Sequence, residues 1–160
     1  SFIKFAHIKE KDNRYPVHYQ EYYSKLKWQN TLMALKSVYD SLPAPEKKDC
    51  LIWGKHYSQA GGVNLYRQQY GLPKAFSYHG SFYLWAADSG ELPKTVIAFS
   101  NGEAGIDFFQ SFFKTVIPVS RVYNAYADFD KDLWQTIYIC KGTRQNFAAL
   151  KVEFKNRVFE

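Results

Sequence analysis

The chain has 160 residues and a mass of 18.7 kDa, enough for one domain with its own core, since a chain of ~150 residues buries about 70% of its unfolded surface. Apolar residues make up 46% and charged residues 22%, which excludes a disordered, collagen-like or disulfide-dense chain. The formal charge is +6, but Lys4, Lys25, Lys55, Lys74, Lys114, Lys141 and Lys155 are scattered, the pattern of a solvated surface and not of a nucleic-acid interface.

In chain order, Phe2 to Ile8 alternates partly and reads as an edge strand or a linker within residues 1–15. Pro16 suits the first turn of a long N-terminal helix over 16–42, on which Trp28, Leu32, Leu35, Tyr39 and Leu42 recur every three or four positions. Leu42-Pro43-Ala44-Pro45 ends that helix, and residues 49–160 form the αβ core. Cys50 to Trp53, Ala75 to Ser77, Thr95 to Phe99, Val116 to Tyr123 and Gln135 to Cys140 read as strands. Helices are expected from Ser58 (as N-cap) to Tyr70, closed by Gly71, then along Ile106, Phe109 and Phe113, and from Phe147 to Val158. Strands alternating with helices predict a single α/β domain over 1–160: a three-layer αβα sandwich with a mainly parallel, Rossmann-like sheet. Cys50 and Cys140 read as buried strand residues, with a bridge between them left open.

No apolar run approaches the ~18 residues of a membrane span, and mean hydropathy is −0.42. A chain that starts at Ser1 without Met, with no secretory signal behind it, reads as a processed product or an excised piece. The 4 Trp, 13 Tyr and 13 Phe exceed what a core needs, so tyrosines must face a surface or a cleft.

In an open parallel sheet ligands bind beyond the carboxyl ends of the strands. Four loops should share that rim: Lys55 to Gln59, Tyr78 to Ser81, Ser100 to Glu103, and Asn124 to Asp130. His56 and His79 are the acid–base candidates there, and Tyr57, Gln59 and Asn101 the polar ones. No metal-ligand spacing, nucleophile elbow, phosphate loop or dinucleotide fingerprint accompanies them, so no catalytic residue, metal or cofactor is expected. Gly61-Gly62 reads as a place where a helix approaches the sheet closely, and Asp128, Asp130 and Asp132 as a solvated turn that lacks the glycine and glutamate of a calcium loop.

One stretch is more specific than these. Lys55-His56-Tyr57-Ser58-Gln59-Ala60-Gly61-Gly62, Tyr70-Gly71-Leu72-Pro73 and Ser77-Tyr78-His79-Gly80-Ser81-Phe82-Tyr83-Leu84-Trp85 together resemble the soluble C-terminal domain of bacterial membrane glycosyltransferases of the dolichyl-phosphate-mannose–protein mannosyltransferase type. The order and spacing match from about Leu42 to Trp85, although Ser58 replaces a usual glycine and Gly80 a usual asparagine. Gln59, His79, Tyr83 and Trp85 match and are carried over as ligand-binding candidates beside His56, Tyr57 and Asn101. The resemblance implies a periplasmic domain at the bacterial inner membrane. It would be partnered by the transmembrane portion of the same polypeptide and by a polyprenyl-phosphate sugar or a glycan acceptor, and would not itself be catalytic. The alternatives are a free-standing small α/β enzyme using a histidine at the strand ends, and a domain that only docks on its own membrane portion.

Overall fold

The structure, a computed structural model, describes residues 20–102, 105–124 and 132–157, with side chains from Trp28 onward. The expected strand at Phe2–Ile8, the helix start at Pro16 and the acidic positions Asp128 and Asp130 lie outside the described residues. The elements are α1 (Gln20–Ser41), α2 (Ala44–Lys48), β1 (Leu51–Gly54), α3 (Tyr57–Tyr70), β2 (Ala75–Phe76), α4 (Phe82–Trp85), β3 (Thr95–Asn101), α5 (Gly105–Gln110), β4 (Phe113–Tyr123), β5 (Trp134–Thr143) and α6 (Phe147–Glu153). A 3₁₀ turn, Phe154–Asn156, follows where the sequence predicts more helix.

The protein is α/β, built on a five-stranded sheet in the order β2-β1-β3-β5-β4. β1 runs parallel to β2 and to β3, whereas β5 is antiparallel to both β3 and β4. The expected mainly parallel sheet is therefore corrected to a mixed one. Parallel strands need a crossover of a dozen or more residues, usually helical. No expected helix separates Val116–Tyr123 from Gln135–Cys140, so the chain turns back on itself and β5 enters the sheet beside β3.

Side chains alternate across a strand, and here each face has its own core. Trp53, Val96, Ala98, Tyr138 and Cys140 point to one side with Phe109, Phe112, Phe147, Leu150 and Phe154. Ile52, Ile97, Phe99 and Ile137 point to the other, against Leu32 and Leu35 of α1 and Ala60 and Val63 of α3. Cys50 belongs to the second cluster and Cys140 to the first, so the sheet separates them and both are free. Burial pushes their thiols up, to about 11 for Cys50 and about 12 for Cys140, which leaves them protonated and unreactive.

Several local readings change for identifiable reasons. Pro43 and Pro45 do end α1, but a proline is at home in a first turn, and α2 starts there. Phe113 opens β4 instead of closing a helix, while its ring stays in the expected core. Gly62 does not bring α3 to the sheet: a Cβ there would lie 2.4 Å from the Trp28 ring of α1, and one at Gly61 would lie 3.6 Å from Phe82 of α4. The close approach to the sheet falls to Gly54, where a Cβ would sit 2.7 Å from the Ala60 nitrogen.

The C-terminal end of α3 follows its sequence. Gly71 has φ +62°, and its N–H and that of Leu72 both reach the Arg67 carbonyl, which glycine permits without a Cβ penalty. α4 straddles the β2 edge of the sheet, with Phe82 against one core and Tyr83 against the other. Lys151 of α6 holds it there, donating to the carbonyls of Tyr83 and of Ala86 (3.0 Å) with its ammonium 4.4 Å from the Tyr83 ring centre.

Candidate functional site

The carboxyl ends of β1, β2, β3 and β4 and the start of β5 lie on one rim, because β4 runs with β3 and β5 against it. The rim carries two groups of side chains, one polar and one aromatic.

The polar group is a buried chain of amides. Gln59 is 1% exposed although it lies in the first turn of a helix. Its Oε1 accepts from the His56 N–H (2.9 Å), while its Nε2 donates to Asn101 Oδ1 (2.9 Å) at the end of β3. Asn101 Oδ1 accepts a second bond from Gln135 Nε2 (3.1 Å), and Asn101 Nδ2 donates to Asp132 Oδ1 (2.7 Å). Thr31 of α1 donates its hydroxyl to Gln135 Oε1. Gln59, Asn101, Asp132 and Gln135, with Trp28, Ser58 and Asn124, line a cleft of about 70 Å³ on the α1–α3 face.

That network arises from a strand-end position and a cap. Asn101 is the last residue of β3 and pairs in register with Gln135, so both side chains face the same side. Gln59 is placed by the α3 N-terminus, whose N-cap is His56 and not the expected Ser58. His56 has extended backbone (φ −105°, ψ 149°), and its Nδ1 accepts from the Ser58 N–H at 3.3 Å. Gln59 closes the reciprocal half of the capping box. An accepting Nδ1 puts the neutral ring's proton on Nε2.

The aromatic group is a cluster of three rings. The His56 ring lies 4.1 Å from Tyr57 and 4.2 Å from His79, and Tyr57 and His79 are stacked at 5.3 Å. Gly80, with φ +58°, turns the chain beneath Tyr57, where a Cβ would sit 3.0 Å from its ring. Burial lowers the His79 pKa, because desolvation disfavours the imidazolium. The unfolded chain then binds the proton more tightly than the folded one. The stability this histidine contributes is complete above its unfolded value of ~6.5 and is lost as pH falls through the lower folded value. Urea unfolding at pH 7.5 and pH 5.0 is expected to show lower stability at the acid pH, and His79→Gln should flatten that dependence. An unchanged slope in the variant would refute the assignment.

The remaining candidates lie elsewhere. Tyr83 donates its hydroxyl to the Lys151 carbonyl (3.0 Å) on the opposite core from the amide cleft, so Gln59 and Tyr83 do not meet. Trp85 is 72% exposed, edge-on to Phe82 at 5.5 Å. Tyr78, expected on the rim, is buried and stacked on Phe154 at 5.0 Å, and burial raises its hydroxyl pKa.

Sequence reading missed Thr31 and Gln135, took Trp28 for core stripe alone, and read Asp132 as a solvated turn, which is corrected: its carboxylate is tied to Asn101 at the cleft. Gln135 had a visible signal: it is a polar residue on the face of β5 that carries Ile137 and Ile139. Thr31 is one turn from Leu35 on the buried stripe of α1, where a hydroxyl needs a partner. Among the described residues no three His, Cys, Asp or Glu side chains are grouped to hold a metal ion, and no helix is long and apolar enough to cross a membrane. Comparison with protein-family models, with curated proteins and with solved structures returns no match.

Proposed function

We propose that the chain is a non-catalytic, extracytoplasmic domain of a bacterial membrane glycosyltransferase that uses a polyprenyl-phosphate sugar donor, and that the amide cleft receives sugar hydroxyls of donor or acceptor. The composition of that cleft carries the reading. Each amide NH₂ of Gln59, Asn101 and Gln135 uses one hydrogen in the network and keeps a second, and Asp132 has a second carboxylate oxygen. Donors beside one carboxylate, with the Trp28 ring in the wall, suit a hydroxyl-rich ligand whose C–H face rests on an aromatic. About 70 Å³ is less than half of the ~150 Å³ that holds a benzene ring, so the cleft takes the hydroxyl edge of a sugar and not a whole ring.

Amides neither attack nor shuttle protons at neutral pH, which favours recognition over bond breaking. The basic excess suits a surface beside anionic headgroups, where each lysine contributes about 1 kcal/mol. On this reading the transmembrane portion of the same polypeptide is the partner, and the periplasmic side of the inner membrane the location. The helices on the two faces are read as the outer layers of a three-layer αβα sandwich, with α1 as its long N-terminal helix, supported by the separate cores of the two faces.

A ¹⁵N-labelled sample titrated with methyl α-mannoside, and separately with farnesyl phosphate, tests the proposal. The side-chain amides of Gln59, Asn101 and Gln135 should shift with the sugar. Asp132→Asn, which keeps an acceptor for Asn101 but loses the charge, should weaken the sugar by about tenfold. No shift with either probe would overturn recognition and leave docking alone. The second reading, a free-standing α/β enzyme, rests on the approach of the His56 and His79 rings to 4.2 Å. Turnover of a sugar phosphate by the chain, abolished by His56→Ala, would replace the first reading with it.

A further inference from the structure

A second cavity, of about 250 Å³, lies along the free edge of β2, away from the amide cleft. Leu51, Phe76, Phe82, Trp85 and Phe147 form its walls, and Lys74 is the charged residue among the described residues that line it. Trp85, at 72% exposed, presents its indole to this cavity and to solvent instead of to the core. An edge strand usually invites another strand, but this one is closed. Asn64 accepts from the Ala75 N–H (2.9 Å) and donates to the Ala75 carbonyl (2.8 Å), taking both backbone groups. With the outward backbone groups of Ala75 taken, this two-residue strand offers a peptide little ladder to join, which favours a ligand without a backbone.

We infer that this groove binds a medium-chain alkyl carboxylate, with its chain between the aromatic walls and its carboxylate on Lys74. The size sets the chain. Scaled from the six carbons of benzene in a cavity of ~150 Å³, 250 Å³ holds about eight to ten carbons. An apolar cavity of ~150 Å³ already holds benzene, so this one is large enough to be used. The head group follows from the lining: a single ammonium answers a single negative charge, and no second cation lines the groove for a phosphate dianion. This site is separate from the cleft, and it stands whether or not the glycosyltransferase reading does.

Calorimetric titration of the 160-residue chain with unbranched carboxylates of four to twelve carbons tests it. Affinity should rise about fourfold per added methylene up to roughly eight to ten carbons and then level off. Octanol should bind more weakly than octanoate, and Lys74→Gln should bring octanoate down to the octanol value. Ala87→Leu narrows the groove from an exposed position, and should lose octanoate binding while its urea midpoint shows the fold intact. Three results would each overturn the inference: no saturable octanoate binding, affinity still rising through dodecanoate, or equal binding of octanol and octanoate by the unaltered chain. Should Ala87→Leu fail to fold, Lys74→Gln and the chain-length series still decide the matter.

Discussion

Trp53→Ala is expected to destabilise the protein by about 3–5 kcal/mol, the range for removing a fully buried tryptophan. Trp53 is 0% exposed and lies in β1, at the middle of one core. The rings of Phe76, Tyr78, Phe108, Phe109, Phe112, Phe113 and Phe154 surround it, with centroids 5.1 to 6.3 Å away. All are tilted or edge-on, the arrangement the ring quadrupole prefers, so each pair adds to the area buried. These rings come from β2, α5, β4 and the C-terminal turn as well as from the loops between them, and no one neighbour can move in to fill the cavity. With a slope of roughly 2 kcal/mol per molar urea, the midpoint should drop by about 1.5–2.5 M. Trp53→Phe keeps part of the volume and should lose less. A drop for the alanine variant below about 1 kcal/mol would mean that the core collapses around the vacancy.

Asn101→Leu is expected to cost about 2–4 kcal/mol, because it removes one partner from each of three groups at once. Gln59 Nε2 and Gln135 Nε2 lose their acceptor, and Asp132 Oδ1 loses its donor. Gln59 and Gln135 are 1% and 5% exposed, so bulk water reaches what is lost only through the cleft of about 70 Å³ beside them. Asn101→Asp separates polarity from fit. It keeps an acceptor for both glutamines, but sets a carboxylate where Asn101 now donates to Asp132 at 2.7 Å. Two carboxylates that close must share a proton. Asn101→Asp should therefore be strongly destabilised at pH 7 and regain stability relative to the unaltered protein as pH falls to about 5. Urea midpoints at both pH values measure this. A pH-independent loss would show that Asp132 and position 101 do not face one another in solution.

The glycosyltransferase proposal and the stability predictions rest on different features. Asn101 and Gln59 would destabilise the rim if altered whatever the cleft binds, since they tie α3 to β3 and β5. Asp132→Asn changes charge without removing that tie. Binding and folding can thus be read apart.

What the sequence alone determined is local. The five strands, the buried stripe of α1 and the Gly71 stop of α3 were legible because alternation, three-and-four spacing and a left-handed glycine act within a few residues of themselves. The rim loops after β1, β2 and β3 were legible for the same reason, since each directly follows its strand. Which residues meet on that rim was decided only by the tertiary structure. The antiparallel return of β5 placed Gln135 against Asn101, across more than thirty positions of chain, and packing of α1 brought Trp28 and Thr31 over them. Likewise the sheet, and not sequence distance, separated Cys50 from Cys140 and Gln59 from Tyr83. Spacing fixes the direction a side chain takes from its own element, whereas strand order and register choose its neighbours, and those depend on how two whole cores are filled.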